Sequence, residues 1–210
     1  MNEGFHRLQN LRMENDAARF AMDEMRPRFE TMKNRKENGT APQAVSAYQL
    51  FQTPPEIARR LVDLLELTPG KRLLEPSAGL GRLLDCIAPL EPVETVAVEI
   101  SADLTRALYY QRRERVQLLC RDFLTQEPGD LGTFDAIAMN PPFHMRADVR
   151  HIIHALQFLK PGGKLAALCM DTPQREAILR PMAATWESIP AGAFKAEGTG
   201  VPTILLTINA

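Results

Sequence analysis

The sequence predicts an α/β chain built on a largely parallel sheet with helices on both faces, preceded by a helical N-terminal extension. Short apolar runs recur from residue 72 to the end of the chain. Amphipathic stretches of helical period separate them, and strands that alternate with helices pack as a parallel sheet covered on both sides. Residues 1–44 carry no such runs; their apolar side chains fall at alternating steps of three and four.

The bulk properties bound the answer. A chain of 210 residues suits one domain with an appended segment. Hydrophobic residues make up 45% and charged residues 24%, which excludes wholesale disorder and a fibrous repeat. Lys plus Arg number 25 against 26 for Asp plus Glu, a formal net charge of -1. That excludes a strongly basic nucleic-acid coat protein but leaves local basic patches open. Cys86, Cys120 and Cys169 are too far apart for a zinc knuckle or a disulfide framework, and no metal is expected. No apolar run reaches ~18 residues, and the first residues lack an apolar signal core. A cytoplasmic protein that does not enter the membrane is the expectation.

In the extension, residues 1–44, Leu8, Leu11, Ala18, Met22, Met25, Phe29 and Met32 form the stripe. Pro27 interrupts it at a cost of about 3 kcal/mol inside a helix, so two helices are expected, about 3–25 and 28–36. The stripe docks on the protein's own core, covers the active site as a flap, or pairs two copies as a homodimer. Asn38 to Pro42 is a turn-rich linker, and a domain spanning 45–210 follows. Thr53 stands as an N-cap before Pro54 and Pro55, with Ile57, Leu61, Leu64 and Leu65 on the buried face of that helix.

Arg72–Glu75 is the first strand, followed by a turn and a helix to about Leu90. Thr95–Glu99 is the second, with a helix over Ala102–Arg113 after it. Val116–Cys120 is the third and Phe134–Met139 the fourth, followed by a helix over Ala147–Leu159. Leu165–Met170 is the fifth, with a helix near Pro173–Arg180 behind it. Thr203–Ile208 alternates as the last strand.

Ligands of open parallel sheets bind beyond the carboxyl ends of the strands, so the residues there are the candidates. Glu75, Pro76, Ser77, Ala78, Gly79, Leu80 and Gly81 follow the first strand. The glycines allow close backbone approach. Leu84 fills the place of a third glycine, which counts against a nicotinamide enzyme. Glu99 ends the second strand 20 residues after Gly79; it is either a ribose acceptor or a solvated carboxylate. Asp122, with Phe123 beside it, follows the third strand and either accepts from an adenine amine or caps a turn. Asn140, Pro141, Pro142 and Phe143 follow the fourth. The prolines fix an extended backbone and remove two donors. The Asn140 side-chain oxygen and the Pro141 carbonyl can then accept from one amino group, while Phe143 offers a face for stacking.

From Gln52 to Phe143 the sequence resembles the N6-adenine DNA methyltransferases of the class I, S-adenosylmethionine-dependent fold, in the motif order of the gamma-type enzymes. Gln52 to Glu56 is similar to the segment that holds the methionine carboxylate, and Leu74 to Gly81 to the cofactor loop. Val98-Glu99-Ile100 resembles the ribose site, Arg121 to Leu124 the adenine site, and Asn140 to Phe143 the catalytic motif. Leu159 to Lys164 matches the turn before the fifth strand. The resemblance implies a Rossmann-like, seven-stranded, mostly parallel sheet with an antiparallel last strand. It also implies S-adenosyl-L-methionine as cofactor. Catalytic roles fall to Asn140, Pro141, Pro142 and Phe143. Cofactor contacts fall to Thr53, Glu75, Pro76, Ser77, Ala78, Gly79, Gly81, Glu99, Ile100, Asp122, Phe123 and Asn140.

The implied acceptor is the N6 amine of adenine in DNA. Small RNA adenine methyltransferases and protein-glutamine methyltransferases share the motif, so RNA and protein acceptors are the alternatives, as is a non-catalytic binding subunit. No target-recognition domain follows the last strand in this sequence, so relaxed or partner-supplied sequence specificity is expected. Phe143, His144, Arg146 and Arg150 are the candidates for holding the nucleic acid. A second basic group, Arg106, Arg112, Arg113, Arg115 and Arg121, reads either as phosphate contacts or as a solvated helix face. Asp148, three residues before His151, is expected to orient that ring rather than to complete a metal site with His151 and His154.

Overall fold

The computed structural model describes residues 52–90, 94–197 and 200–210, all within one compact unit, Tyr48–Ala210. The expected N-terminal helices, their linker and the boundary at residue 45 lie outside the described residues.

Seven strands form one sheet: β1 (Arg72–Glu75), β2 (Glu94–Glu99), β3 (Val116–Cys120), β4 (Phe134–Met139), β5 (Leu159–Met170), β6 (Thr185–Ile189) and β7 (Thr203–Asn209). Their order is β3-β2-β1-β4-β5-β7-β6. Strands β1 to β5 pair in parallel, and β7 runs antiparallel to both β5 and β6. The expected Rossmann-like sheet with its reversed last strand is therefore present. The helices are α1 (Pro55–Asp63), α2 (Arg82–Ile87), α3 (Ala102–Tyr110), α4 (Pro128–Leu131), α5 (Ala147–Ala155) and α6 (Pro173–Leu179).

Alternation along the strands divides the core into two layers. Leu73, Ala97, Ala136, Ala138, Ala166 and Leu168 face α1, α2 and α3, where Leu61, Leu84 and Leu108 meet them. Leu74, Val98, Ile137, Met139, Leu165 and Ala167 face the other way, onto Val149, Ile152 and Ala155 of α5 and onto Phe123 and Phe158. Successive side chains of a strand point to opposite faces. Two adjacent leucines of β1 thus serve two cores, each stabilising by roughly 1.5–3 kcal/mol when fully buried.

The structure departs from the expected elements in places. Helix α2 stops at Ile87, α3 at Tyr110, and α5 at Ala155, where a 3-10 turn over Leu156–Phe158 takes over. The Lys160-Pro161-Gly162-Gly163 segment lies inside β5, with a register shift against β4 between Phe134 and Ala136. Strand β6 completes the expected count of seven, but the sequence did not mark its position. Thr53 is not the N-cap of α1: Pro54 holds that position without a side-chain cap, and the Thr53 hydroxyl is engaged elsewhere. No helix among the described residues is long and apolar enough to cross a membrane.

Candidate active site

Strands β1 and β4 are neighbours, and the sheet order runs outward from them in opposite directions. Such a switch point opens a crevice at the carboxyl ends of the strands. Here that crevice is a cleft of about 290 Å³. It is lined by Gln52 and Thr53, the turn Glu75 to Leu80, Arg82, Leu83, Glu99, Ile100, Arg121 to Leu124, Asn140 to Phe143, and His151. The segments after the first four strands, far apart in sequence, thus converge on one cleft, joined by Gln52, Thr53 and His151.

The turn after β1 is tied to the end of β2. The backbone N–H of Ala78 donates to the Val98 carbonyl at 3.0 Å. The N–H of Gly79 donates to Glu99 Oε2 at 2.8 Å, and Ser101 N–H donates to the other carboxylate oxygen at 2.8 Å. The 20-residue spacing of Gly79 and Glu99 is a direct bond. A carboxylate has about four lone-pair sites, so these two donors leave Glu99 capacity for hydroxyls. Gly81 does not line the cleft. It is the left-handed N-cap of α2 at φ 84°, where a Cβ would stand 2.7 Å from the Leu108 side chain. That left-handed φ, which side-chain-bearing residues adopt at a cost, is what favours glycine there.

Of the two readings of Asp122, the turn cap is present. Its Oδ1 accepts from Leu124 N–H at 3.0 Å and caps a short 3-10 turn, while the residue lines the cleft. Phe123 is buried beneath it against His151 and His154. His154 Nε2 donates to the Gln126 carbonyl at 3.0 Å. A carbonyl only accepts, so Nδ1 of His154 is the acceptor facing Gln157.

After β4, Asn140 Nδ2 donates to Thr53 Oγ1 at 2.9 Å. Phe143 lines the cleft but is only 6% exposed and belongs to the core. Its expected open stacking face is therefore largely covered by protein. His144, Arg146 and Arg150 are exposed and lie outside the cleft lining. Met145 and Arg146 both take the left-handed backbone conformation.

Asp148 does not orient His151. It is fully buried; its Oδ2 accepts from Arg175 Nε at 2.6 Å and from Met170 N–H at 3.1 Å. Arg175 in turn donates to the Phe143 carbonyl at 3.0 Å. This buried ion pair clamps the turn after β4 to α5 and α6, and the sequence offered no sign of it. The second basic group also divides. Arg115 sits at the amino end of the sheet, where its carbonyl accepts from Thr95 at the start of β2. Arg112 and Arg113 lie in the same connection, and Arg113 is paired with Asp85. Arg121 alone of that group reaches the cleft.

Buried side-chain polar atoms are normally satisfied. The buried ones among the described residues that find no hydrogen-bond partner are Glu75 Oε2, Ser77 Oγ, Arg82 Nε and His151 Nδ1. All four residues line this one cleft. Burial, with lesser contributions from Asp85 and Glu99 and opposed by Arg113, holds the Glu75 carboxyl well above its ordinary range. Burial likewise lowers His151 to about 4, so its ring is neutral at neutral pH. No group of His, Cys, Asp and Glu among the described residues could hold a metal ion.

The family model of the methyltransferase small domain matches residues 57–192, well over half of the chain. The chain belongs to that family. S-adenosylmethionine is the cofactor, and the cleft suits it. Buried acid, hydroxyl, guanidinium and imidazole atoms without partners line the cleft beside Glu99, Asp122 and Asn140 and the apolar Ala78, Leu83 and Phe123, as a molecule with charged and aromatic ends requires.

Solved structures similar to this methyltransferase share its fold. TrmN from Thermus thermophilus aligns with a TM-score of 0.60 at 22% identity, over 78% of this chain and 51% of that one. A modification subunit of a putative type I restriction enzyme from Vibrio vulnificus aligns at 0.62 and 16%, over 90% and 49%. A putative RNA methyltransferase from Pyrococcus horikoshii aligns at 0.60 and 18%, over 77% and 85%. The chain thus spans about half the length of the first two. No curated protein matches the sequence.

Proposed function

We propose that this methyltransferase moves the methyl group of S-adenosylmethionine to the exocyclic N6 amine of adenine in nucleic acid, with DNA as the acceptor. The observation that carries the reading is the Asn140–Thr53 bond at the switch point of the sheet. It fixes the plane of the Asn140 amide at the mouth of the cleft, beside the rigid Pro141-Pro142 backbone.

The chemistry explains why such a pair suits an amine. The lone pair of an adenine amine is delocalised into the ring, so the nitrogen is a poor nucleophile. Acceptance of its two hydrogens by the Asn140 side-chain oxygen and the Pro141 carbonyl favours a pyramidal nitrogen with its lone pair available. The cofactor supplies an electrophilic methyl group. Orientation of the two reactants can supply roughly 7–11 kcal/mol of barrier reduction in favourable cases. No side chain need become covalently attached. A base within a duplex cannot enter the cleft, so it must be extruded or already single-stranded. The exposed His144, Arg146 and Arg150 beside the turn suit phosphate contacts.

A second reading, RNA as the acceptor, is favoured by the similar proteins that this chain covers most completely. Those from Streptococcus thermophilus and Salinibacter ruber, covered over 98% and 92% of their length, are described as an rRNA methylase and an RNA methyltransferase. The test is incubation with labelled S-adenosylmethionine and DNA, RNA and protein acceptors, followed by digestion. Label in N6-methyladenine from DNA is the expected result. Label in RNA alone replaces DNA by the second reading. Label in a protein glutamine, or in no acceptor, overturns both.

A further inference from the structure

The turn Asn140–Phe143 is held at both ends by side chains from elsewhere in the chain. At its start Asn140 donates to Thr53 Oγ1 at 2.9 Å. At its end the Phe143 carbonyl accepts from Arg175 Nη2 at 3.0 Å. Between these ends Pro141 and Pro142 offer no N–H by which the backbone could be fastened. Arg175 belongs to α6, which lines no part of the cleft. Its guanidinium is a junction. Nε donates to Asp148 Oδ2 on α5 at 2.6 Å, and Nη1 donates to Thr172 Oγ1, the N-cap of its own helix, at 3.3 Å. The same Asp148 oxygen accepts from Met170 N–H, at the end of β5, at 3.1 Å. One buried cation thus joins the turn after β4 to α5, to α6 and to the end of β5.

Stability alone does not call for this arrangement, because well-packed apolar side chains in place of a buried ion pair often hold a fold as well. A charge pair would also need only one nitrogen of the guanidinium. Here a second nitrogen is spent on the Phe143 carbonyl, in a planar fork whose donors point in fixed directions. We infer that Arg175 is a positioning residue for methyl transfer. With its charge balanced by Asp148, it holds the Phe143 carbonyl and so sets the Pro141–Phe143 backbone against which the acceptor amine is proposed to lie. It acts through Phe143 and lies outside the cleft lining. Glu75 to Gly79, Glu99 and Asp122, on the cofactor side, stand on other elements, so loss of the guanidinium should slow transfer without weakening the cofactor. The inference rests on the proposed roles of Asn140 and Pro141.

The decisive experiment compares Arg175→Lys and the double variant Asp148→Leu, Arg175→Met with the wild type, on the nucleic acid that the wild type labels. Urea unfolding, calorimetry with S-adenosylhomocysteine and single-turnover transfer are measured on each. Lysine keeps a cation beside Asp148 but has no fork with which to reach the Phe143 carbonyl as well. The double variant removes charge and donor together and leaves no buried charge unpaired. Both should lose transfer by ~10-fold or more, as displacement of reacting groups does, with S-adenosylhomocysteine affinity near wild type. A purely structural role makes transfer follow stability instead, so that the double variant regains its rate as it regains its fold. That result overturns the inference, as does a parallel loss of S-adenosylhomocysteine affinity. Wild-type transfer by Arg175→Lys beside an inactive Asn140→Ala removes this inference alone, whereas retained turnover in Asn140→Ala removes the proposed chemistry. A wild type that labels no nucleic acid overturns the proposed acceptor and this role with it.

Discussion

The side-chain nitrogen of Asn140 donates to the hydroxyl of Thr53 at 2.9 Å, joining positions 87 residues apart. Thr53 is 3% exposed and precedes α1, while Asn140 leaves β4. One bond thus positions the turn after β4 against the segment that precedes the whole sheet. Thr53→Val keeps the shape and removes the acceptor. Methyl transfer should fall about tenfold, near the net worth of one hydrogen bond at the reacting centre, and Thr53→Ser should keep the wild-type rate. If Thr53→Val instead weakens cofactor binding and leaves the turnover number intact, the hydroxyl serves the cofactor rather than the amide.

Asn140 itself has a sharper expected signature. Its proposed work is done mainly on the transition state, so Asn140→Ala should reduce turnover by ~100-fold or more while cofactor affinity stays near wild type. Calorimetry and single-turnover rates on the same preparation separate the two quantities. Retained turnover would remove the residue from the mechanism.

The buried pair of Asp148 and Arg175 predicts an asymmetry in stability. Both are buried, and Asp148 also accepts from two backbone N–H groups. Arg175→Met leaves a buried carboxylate without its cation, at a cost of about 3–5 kcal/mol. Urea unfolding should show that loss. The double variant Asp148→Leu, Arg175→Met should recover part of it. Equal instability in the single and double variants would show that the pair's charge is not the source.

How much of this was legible follows from where each signal lies. Strands β1 to β4 and the turns after them were readable because each is an apolar run closed by Pro, Ser, Asp or Asn within two residues. Strand β6 was not: Thr185-Trp186-Glu187-Ser188-Ile189 lies at the sheet edge and buries only Ile189, so it carries little alternation. Local spacing also misled in two places. A threonine before two prolines resembles an N-cap, but the Thr53 hydroxyl is taken by Asn140. An aspartate three residues before a histidine suggests a pair, but Asp148 turns instead to β5 and α6. Arg82 and Arg175 had no sequence signal of their own. Periodicity reports which face a residue occupies; it is silent on partners distant in the chain.

His151 gives a pH signature. Its ring is lowered from 6.5 to about 4, by burial first and then by Arg150 and His154, against Asp122 and Asp148. The folded value lies below the unfolded one, so the unfolded chain binds more protons between the two. Stability should therefore fall as pH drops from about 6.5 toward 4, by roughly 2–3 kcal/mol for this group. Comparing His151→Phe with the wild type at each pH cancels the other titrations. The stability difference should shift in favour of the variant across this window, and a constant difference would place the ring in solvent.

Glu75, one of the cofactor contacts that the resemblance implies, gives a pH dependence of the same sign, in binding. In the free protein its carboxyl is held above the ordinary value, by burial first, with Asp85 and Glu99 adding to the shift and Arg113 opposing it. At a pH below that raised value the group is protonated and cannot pair with an ammonium. Binding then has to release one proton, so affinity for S-adenosylhomocysteine should rise with pH by up to about tenfold per unit. It should level off once the free carboxyl is ionised. Calorimetry between about pH 5.5 and 7, where the ligand's amine stays mostly charged, measures the slope directly, and buffers of different ionisation enthalpy count the proton released. Glu75→Gln has no proton to release and should give a flat profile at lower affinity. A thioether analogue that keeps the ammonium but lacks the carboxylate should keep the slope of the wild type, while one that lacks the ammonium should lose it. A sloped profile in Glu75→Gln would assign the titration to another group, with Asp122 and Glu99 the remaining carboxylates of the cleft.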